Sequence, residues 1–118
     1  MQGTVLIVED EYLIAVELQR IVEDDGWRAI GPAPTVEAAL SLLEIERPSV
    51  ALLDVHLGSE LVTPVALALK EKKVPFAVAS AYARPEQYGG AVLARVPNAG
   101  KPAEKRRLLA TLKELLDS

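Results

Sequence analysis

Six polar side chains stand at or just past the ends of apolar runs, and their types suit one kind of chemistry. Glu9, Asp10 and Glu11 follow Thr4-Val5-Leu6-Ile7-Val8, Asp54 follows Val50-Ala51-Leu52-Leu53, Ser80 follows Phe76-Ala77-Val78-Ala79, and Lys101 stands just beyond Arg95–Ala99. Three carboxylates (Glu9, Asp10, Asp54) gathered in one crevice would repel each other, and a hard divalent cation relieves that repulsion. Mg²⁺ favours one or two carboxylates completed by water and phosphate oxygen. Asp54 is then a candidate nucleophile, since aspartyl-phosphate formation is an established form of covalent catalysis. The cation would neutralise charge on a transferred phosphoryl group. Lys101 would add a point positive charge, and Ser80 a hydroxyl donor to a phosphoryl oxygen. Taken alone, Asp54 could equally cap the loop or helix that follows it.

Positioning these groups requires their strands to end on one edge of a sheet. Thr4–Val8 is a β-branched run and reads as a first, central strand. From Tyr12 to about Asp25, Ile14, Leu18, Ile21 and Val22 recur at helical spacing, and Gly26 is placed to stop that helix in a left-handed conformation. Trp27 to Ile30 forms a short second strand ended by Gly31-Pro32-Ala33-Pro34. Thr35 suits an N-cap for a helix running to about Glu46, with Pro48 beyond it. Val50–Leu53 is the third strand, and a loop through Gly58-Ser59 leads to a helix near Thr63–Lys72. Phe76–Ala79 is the fourth strand. Pro85 to Ala94 reads as a short or irregular helix because Gly89-Gly90 interrupts it. Arg95–Ala99 is a fifth strand that Pro97 confines to an edge or a brief ladder. Pro102-Ala103 opens a last helix with a stripe of Leu108, Leu109, Leu112, Leu115 and Leu116. Strands alternating with helices predict an α/β domain with a doubly wound five-stranded parallel sheet. Right-handed crossovers then bring Asp10, Asp54, Ser80 and Lys101 to one edge, where open α/β sheets keep their ligand crevice.

The chain has 118 residues, half of them hydrophobic, and a formal charge of −4, which suits one domain over residues 1–118. No apolar stretch approaches the ~20 residues that span a bilayer, and no signal pattern opens the chain, so a cytoplasmic protein is expected. With no cysteine, thiolate nucleophiles and Cys-based zinc sites are excluded; the one histidine, His56, excludes a His-rich metal centre. The acidic balance argues against nucleic acid as a direct partner. The basic cluster Lys101, Lys105, Arg106 and Arg107 reads first as a solvated face.

With those residues in view, the chain resembles a receiver domain of two-component response regulators, the CheY-like superfamily, over essentially its whole length. The likeness rests on Val5-Leu6-Ile7-Val8-Glu9-Asp10-Glu11, Leu52-Leu53-Asp54-Val55, Ser80-Ala81 and Lys101-Pro102. It implies a (βα)5 flavodoxin-like fold with strand order 2-1-3-4-5. It also implies Asp54 as phosphoacceptor, Asp10 as direct Mg²⁺ ligand, Glu9 as an acid reaching the metal through water, and the backbone carbonyl of His56 as a further ligand. By the same likeness Ser80 is the switch hydroxyl, Ala81 the small residue that leaves the phosphate accessible, Lys101 the clamp on the phosphoryl group, and Pro102 the proline after a cis bond. The implied partners are a histidine kinase or histidine phosphotransferase and a downstream protein, for a monomer or weak homodimer that is a phosphoacceptor and not a turnover enzyme.

One position departs from the common pattern. Many receivers carry an aromatic three residues before the lysine; here Asn98 stands there. Together with Phe76-Ala77, Ser80-Ala81-Tyr82 and the proline in the fifth strand, this resembles an atypical subgroup common among single-domain regulators. Other readings stay open. A nucleotide- or flavin-binding flavodoxin-like protein shares the topology, but it would want a Gly- or Ser/Thr-rich phosphate loop where Glu9-Asp10-Glu11 stands. An aspartyl-phosphate phosphatase would want an acid where His56 stands. A receiver belonging to a longer DNA-binding or enzymatic regulator is a further possibility. Trp27 and Tyr82 read as packing or surface residues, Glu11 as the start of the first helix, and the His56 side chain as flanking the crevice mouth or lying in solvent.

Overall fold

Val5 to Val8 and Val50 to Leu53 are buried throughout, so neither run has a polar face and each needs a covering layer on both sides. The computed structural model, which describes residues 3–81, 84 and 86–117, supplies those layers. In chain order the elements are β1 (Thr4–Val8), α1 (Tyr12–Asp24), β2 (Arg28–Ala33), α2 (Val36–Ile45), β3 (Val50–Leu53), β4 (His56–Leu57), β5 (Glu60–Leu61), α3 (Thr63–Glu71), β6 (Phe76–Val78), α4 (Glu86–Gly89), one 3-10 turn (Ala91–Leu93) and α5 (Lys105–Asp117). The main sheet is parallel, in the order β2-β1-β3-β6. Alternation along the strands splits the core. Leu6, Val8, Ala51, Leu53 and Val78 pack with Ala39 and Leu43 of α2 and Val65 and Leu69 of α3. Val5, Ile7, Val50 and Leu52 pack on the other face with Leu18 and Val22 of α1 and Leu108 and Leu112 of α5. Trp27 is buried in this second layer.

Local chemistry sets the boundaries. Thr35 caps α2, its hydroxyl accepting from the Ala38 N–H at 3.0 Å. At the end of α1 the Gly26 N–H donates to the Glu23 carbonyl and the Trp27 N–H to the Val22 carbonyl, with Gly26 at φ 93. That pair of bonds is a Schellman stop, and it needs a left-handed residue where Gly26 sits. Glu11 is the N-cap residue of α1, without a side-chain cap bond. The Lys101-Pro102 bond is cis, as the family likeness implies, and so is Gly31-Pro32.

The structure corrects four sequence readings. The second strand does not end at Ile30: it runs on to Ala33, because the register slips between Leu6 and Val8 and the extra residue is absorbed as a bulge. The loop through Gly58-Ser59 is a small antiparallel hairpin, β4 with β5. The last helix begins at Lys105 and not at Pro102-Ala103, which lie in a turn; Leu108 and Leu112 are its buried residues, while Leu109, Leu115 and Leu116 are half-buried. The fifth strand is reduced to one bridge, Asn98 with Val78. There the Val78 N–H donates to the Pro97 carbonyl and the Ala99 N–H to the Val78 carbonyl. The next rung would need an N–H at residue 97, and proline has none. The segment after β6 is a four-residue helix and a 3-10 turn, broken at Gly90 as the sequence suggested; Pro85 and Tyr82 lie outside the described residues.

Candidate functional site

Parallel pairing in register carries the carboxyl ends of β1, β3 and β6 to one edge, since Val8 pairs with Leu53 and Leu53 with Val78. Glu9 and Asp10 leave β1, Asp54 leaves β3 and Ser80 lies just past β6. The Asn98 bridge brings in the loop that bears Lys101. A cleft of about 320 Å³ opens there, lined by Asp10, Asp54, His56, Ser80, Ala81 and Lys101 among others. Glu9 forms its buried flank at 2 % exposure, with Asp54 at 6 % and Ser80 at 4 %. One carboxylate oxygen from each of Glu9, Asp10 and Asp54 lies within 4.8 Å of the others.

The contacts within the cleft divide the labour. The Lys101 ammonium donates to Asp54 Oδ2 at 3.0 Å and lies 3.5 Å from Glu9 Oε1. The Glu11 N–H donates to Glu9 Oε2, and the Gly58 N–H, in the turn of the β4–β5 hairpin, donates to Asp10 Oδ2 at 2.8 Å. Burial pushes the Glu9 carboxyl up to about 7; the Glu11 N–H opposes this, the Asp54 charge adds to it, and Lys101 pulls it down. Burial also works against the Lys101 ammonium. Its hydrogen bond to Asp54, with the charges of Asp54, Glu9 and Glu11, outweighs that and holds its pKa above the ordinary value.

An all-oxygen set of three carboxylates is a hard donor set that suits Mg²⁺. Glu9 Oε1 is buried with no hydrogen-bond partner, so it has a lone pair that a cation would satisfy. The residues therefore fit the metal that the sequence suggested.

Two features were not legible beforehand. Asn98, noted only as a missing aromatic, accepts from the Ser80 N–H at 3.1 Å and from the Gly100 N–H at 2.8 Å through the same Oδ1. It ties the backbone of the switch candidate to the loop of the lysine. His56 is half-buried, so the solvent reading of its side chain fails; its ring meets Tyr88 of α4 edge-on, centroids 5.9 Å apart. Hydrophobic patterning carries no signal for either contact. Among the described residues, no helix is long and apolar enough to cross a membrane.

No protein-family model matches the chain. It is 40 % identical over 91 residues to the phyllosphere-induced regulator PhyR of Methylorubrum extorquens, a match covering 75 % of this chain and 33 % of that protein. It is 28 % identical over 81 residues to the transcriptional regulatory protein PdtaR of Mycobacterium tuberculosis, covering 68 % of this chain and 40 % of the relative. The solution structure of the receiver domain of Erythrobacter litoralis PhyR superposes with a TM-score of 0.83 at 29 % identity, over 98 % of this chain and 90 % of that one. The chain thus spans a third to two fifths of the curated regulators but nearly all of the isolated receiver domain.

Proposed function

Because the chain is a receiver domain of the response-regulator kind, we propose that it accepts a phosphoryl group on Asp54 from a histidine kinase or histidine phosphotransferase. An Asp54 carboxylate oxygen attacks phosphorus, the bond from phosphorus to the donor nitrogen breaks, and the donor imidazole leaves with its electron pair. The observation that carries this reading is the Asp54–Lys101 pair, 3.0 Å apart at the base of an acidic cleft. Lys101 is neutralised by Asp54 before transfer and is free to follow the new phosphoryl oxygens after it. Glu9, Asp10, Asp54 and the His56 carbonyl would hold Mg²⁺, which when bound supplies charge neutralisation for the transferred group. The Ser80 hydroxyl donates to a phosphoryl oxygen and Ala81 leaves room for it. Movement of Ser80 strains the Asn98 tether, so the loops of Ser80 and Lys101 respond together, shifting a pre-existing equilibrium that a downstream protein reads. In this reading the domain works in the cytoplasm, as a monomer or weak homodimer, without direct nucleic-acid contact and as a phosphoacceptor, not a turnover enzyme.

The test is intact mass after incubation with acetyl phosphate and Mg²⁺, and separately with a phosphorylated histidine phosphotransferase. The expected result is gain of one phosphoryl group, lost with a chelator and lost in Asp54→Asn. No gain from either donor, together with no binding of beryllofluoride and Mg²⁺, would sink the proposal.

A further inference from the structure

At the amino-terminal end of β6, on the opposite edge of the sheet from Asp54, lies an open cleft of about 490 Å³. Val74, Phe76, Val92, Val96 and Leu115 give it an apolar lining, and Lys70, Lys73 and Arg95 ring it. No acidic side chain lines it, and among the described residues none of those three cations has an ion-pair or hydrogen-bond partner for its side chain. Three unpaired cations around one cleft stand out in a chain of net charge −4. Lys73 (φ 59) and Arg95 (φ 64) are also the non-glycine residues with left-handed backbone among those described. Lys73 ends α3 at the position where helix stops favour glycine: its N–H donates to the Lys70 carbonyl and the Val74 N–H to the Leu69 carbonyl. A charged side chain occupies a position where the backbone alone would favour none.

The floor of the cleft has a second property. Ala77 faces β3 through its backbone, so Phe76 and Val78 face outward. Val78 is paired with Pro97 and Ala99, whereas the N–H and C=O of Phe76 have no backbone partner among the described residues. Residue 97 cannot donate to the Phe76 carbonyl because it is proline, and among the described residues no carbonyl near the left-handed Arg95 accepts from the Phe76 N–H. A strand edge with unpaired backbone groups lining a cleft is a template for another strand. We propose that the cleft docks an extended acidic peptide segment of a partner protein. The segment pairs its backbone with Phe76, sets carboxylates against Lys70, Lys73 and Arg95, and turns alternate apolar side chains onto Val74 and Val96. A small anion would answer the charges but leave Phe76 unpaired; a peptide answers both.

The test is an amide NMR titration of the whole chain with an end-blocked pentapeptide of alternating glutamate and valine. The expected result is saturable shifts at Lys73, Phe76 and Val96, with the Phe76 amide slowed in hydrogen exchange. Affinity should fall about tenfold in the Lys73→Asn/Arg95→Asn double variant, in which asparagine keeps the left-handed backbone and removes both charges. Pro97→Val, which restores an N–H at residue 97, should also weaken binding by closing the edge. Equal binding of the lysine–valine counterpart, or of glutarate at the same amides, would overturn the proposal. So would shifts at these amides with phosphatidylglycerol vesicles but none with the peptide, or no saturable shift at all.

Discussion

Glu9→Gln isolates the electrostatic cost of the acidic cleft. Glu9 is buried, and its carboxyl is held at about 7 instead of 4.5. The folded chain therefore binds this proton more tightly than the unfolded chain. Stability from the group is complete below pH 4.5 and is lost as pH rises through 7. The rise corresponds to about 3 kcal/mol once the carboxylate is ionised in the folded state. Glutamine stays neutral at every pH and keeps an oxygen acceptor for the Glu11 N–H, so the variant should behave like protonated wild type. Urea unfolding in the presence of a chelator checks this. At pH 5, half a unit above the unfolded value, the variant is expected to be more stable by under about 1 kcal/mol. At pH 8 the variant is expected to be more stable by about 2–3 kcal/mol, moving the midpoint upward by on the order of 1–2 M. Mg²⁺ added at pH 8 should narrow or reverse the gap, because it stabilises the wild-type carboxylate and not the amide. Equal stability differences at pH 5 and pH 8, or a variant less stable than wild type at pH 8 without metal, would refute the reasoning.

Two further substitutions test the parts that hold the cleft. Gly31→Ala places a Cβ 2.7 Å from the Ala33 nitrogen and 3.0 Å from the Ile7 carbonyl oxygen, at φ +91; it is expected to destabilise by about 2–4 kcal/mol in urea unfolding, and a loss under about 0.5 kcal/mol would show that the bulge yields easily. Asn98→Ala leaves the Ser80 and Gly100 N–H groups without their shared acceptor, at a cost of about 1–3 kcal/mol. Amide exchange should quicken at Ser80 and Gly100 but not at Leu52, and unchanged rates at both sites would remove Asn98 from the coupling.

The features legible in the sequence were those that depend on covalent neighbours. A buried run ended by a carboxylate, a threonine before a helical pattern, and a glycine two residues past α1 each declare a boundary through local chemistry. That is why the sequence alone places Glu9, Asp10, Asp54, Ser80 and Lys101 at one edge of the sheet. The features that escaped depend on pairing across the fold. Gly31-Pro32 looks like the end of a strand until β1 lies beside it and the bulge lets pairing resume at Ala33. Arg95–Ala99 has strand-like composition, yet a parallel rung is decided by whether one particular N–H exists. His56-Leu57 and Glu60-Leu61 are too short for periodicity to reveal, and the hairpin they form becomes meaningful only when the Gly58 N–H is seen to hold Asp10.

Asn98 joins these two kinds of feature. Its identity was visible, and so was the absence of an aromatic, but an absence says nothing about what replaces a function. What stands there is a single carboxamide oxygen shared by two loops. An aromatic at this position could report movement of Ser80 only by rotating into space that Ser80 vacates. An acceptor bonded to the Ser80 N–H and the Gly100 N–H reports it through loss or reorientation of a hydrogen bond, which is short-ranged and directional. Coupling of this sort transmits to the Lys101 loop beside the cleft before it reaches any outer face. The fifth-strand segment is anchored to the sheet by its bridge to Val78 and, among the described residues, makes no backbone bond to Phe76. In the proposed switch, a change in the Asn98 bonds would act on a segment with few rungs to break, so a small displacement at Ser80 would alter its position without disturbing the buried rungs of β1 and β3.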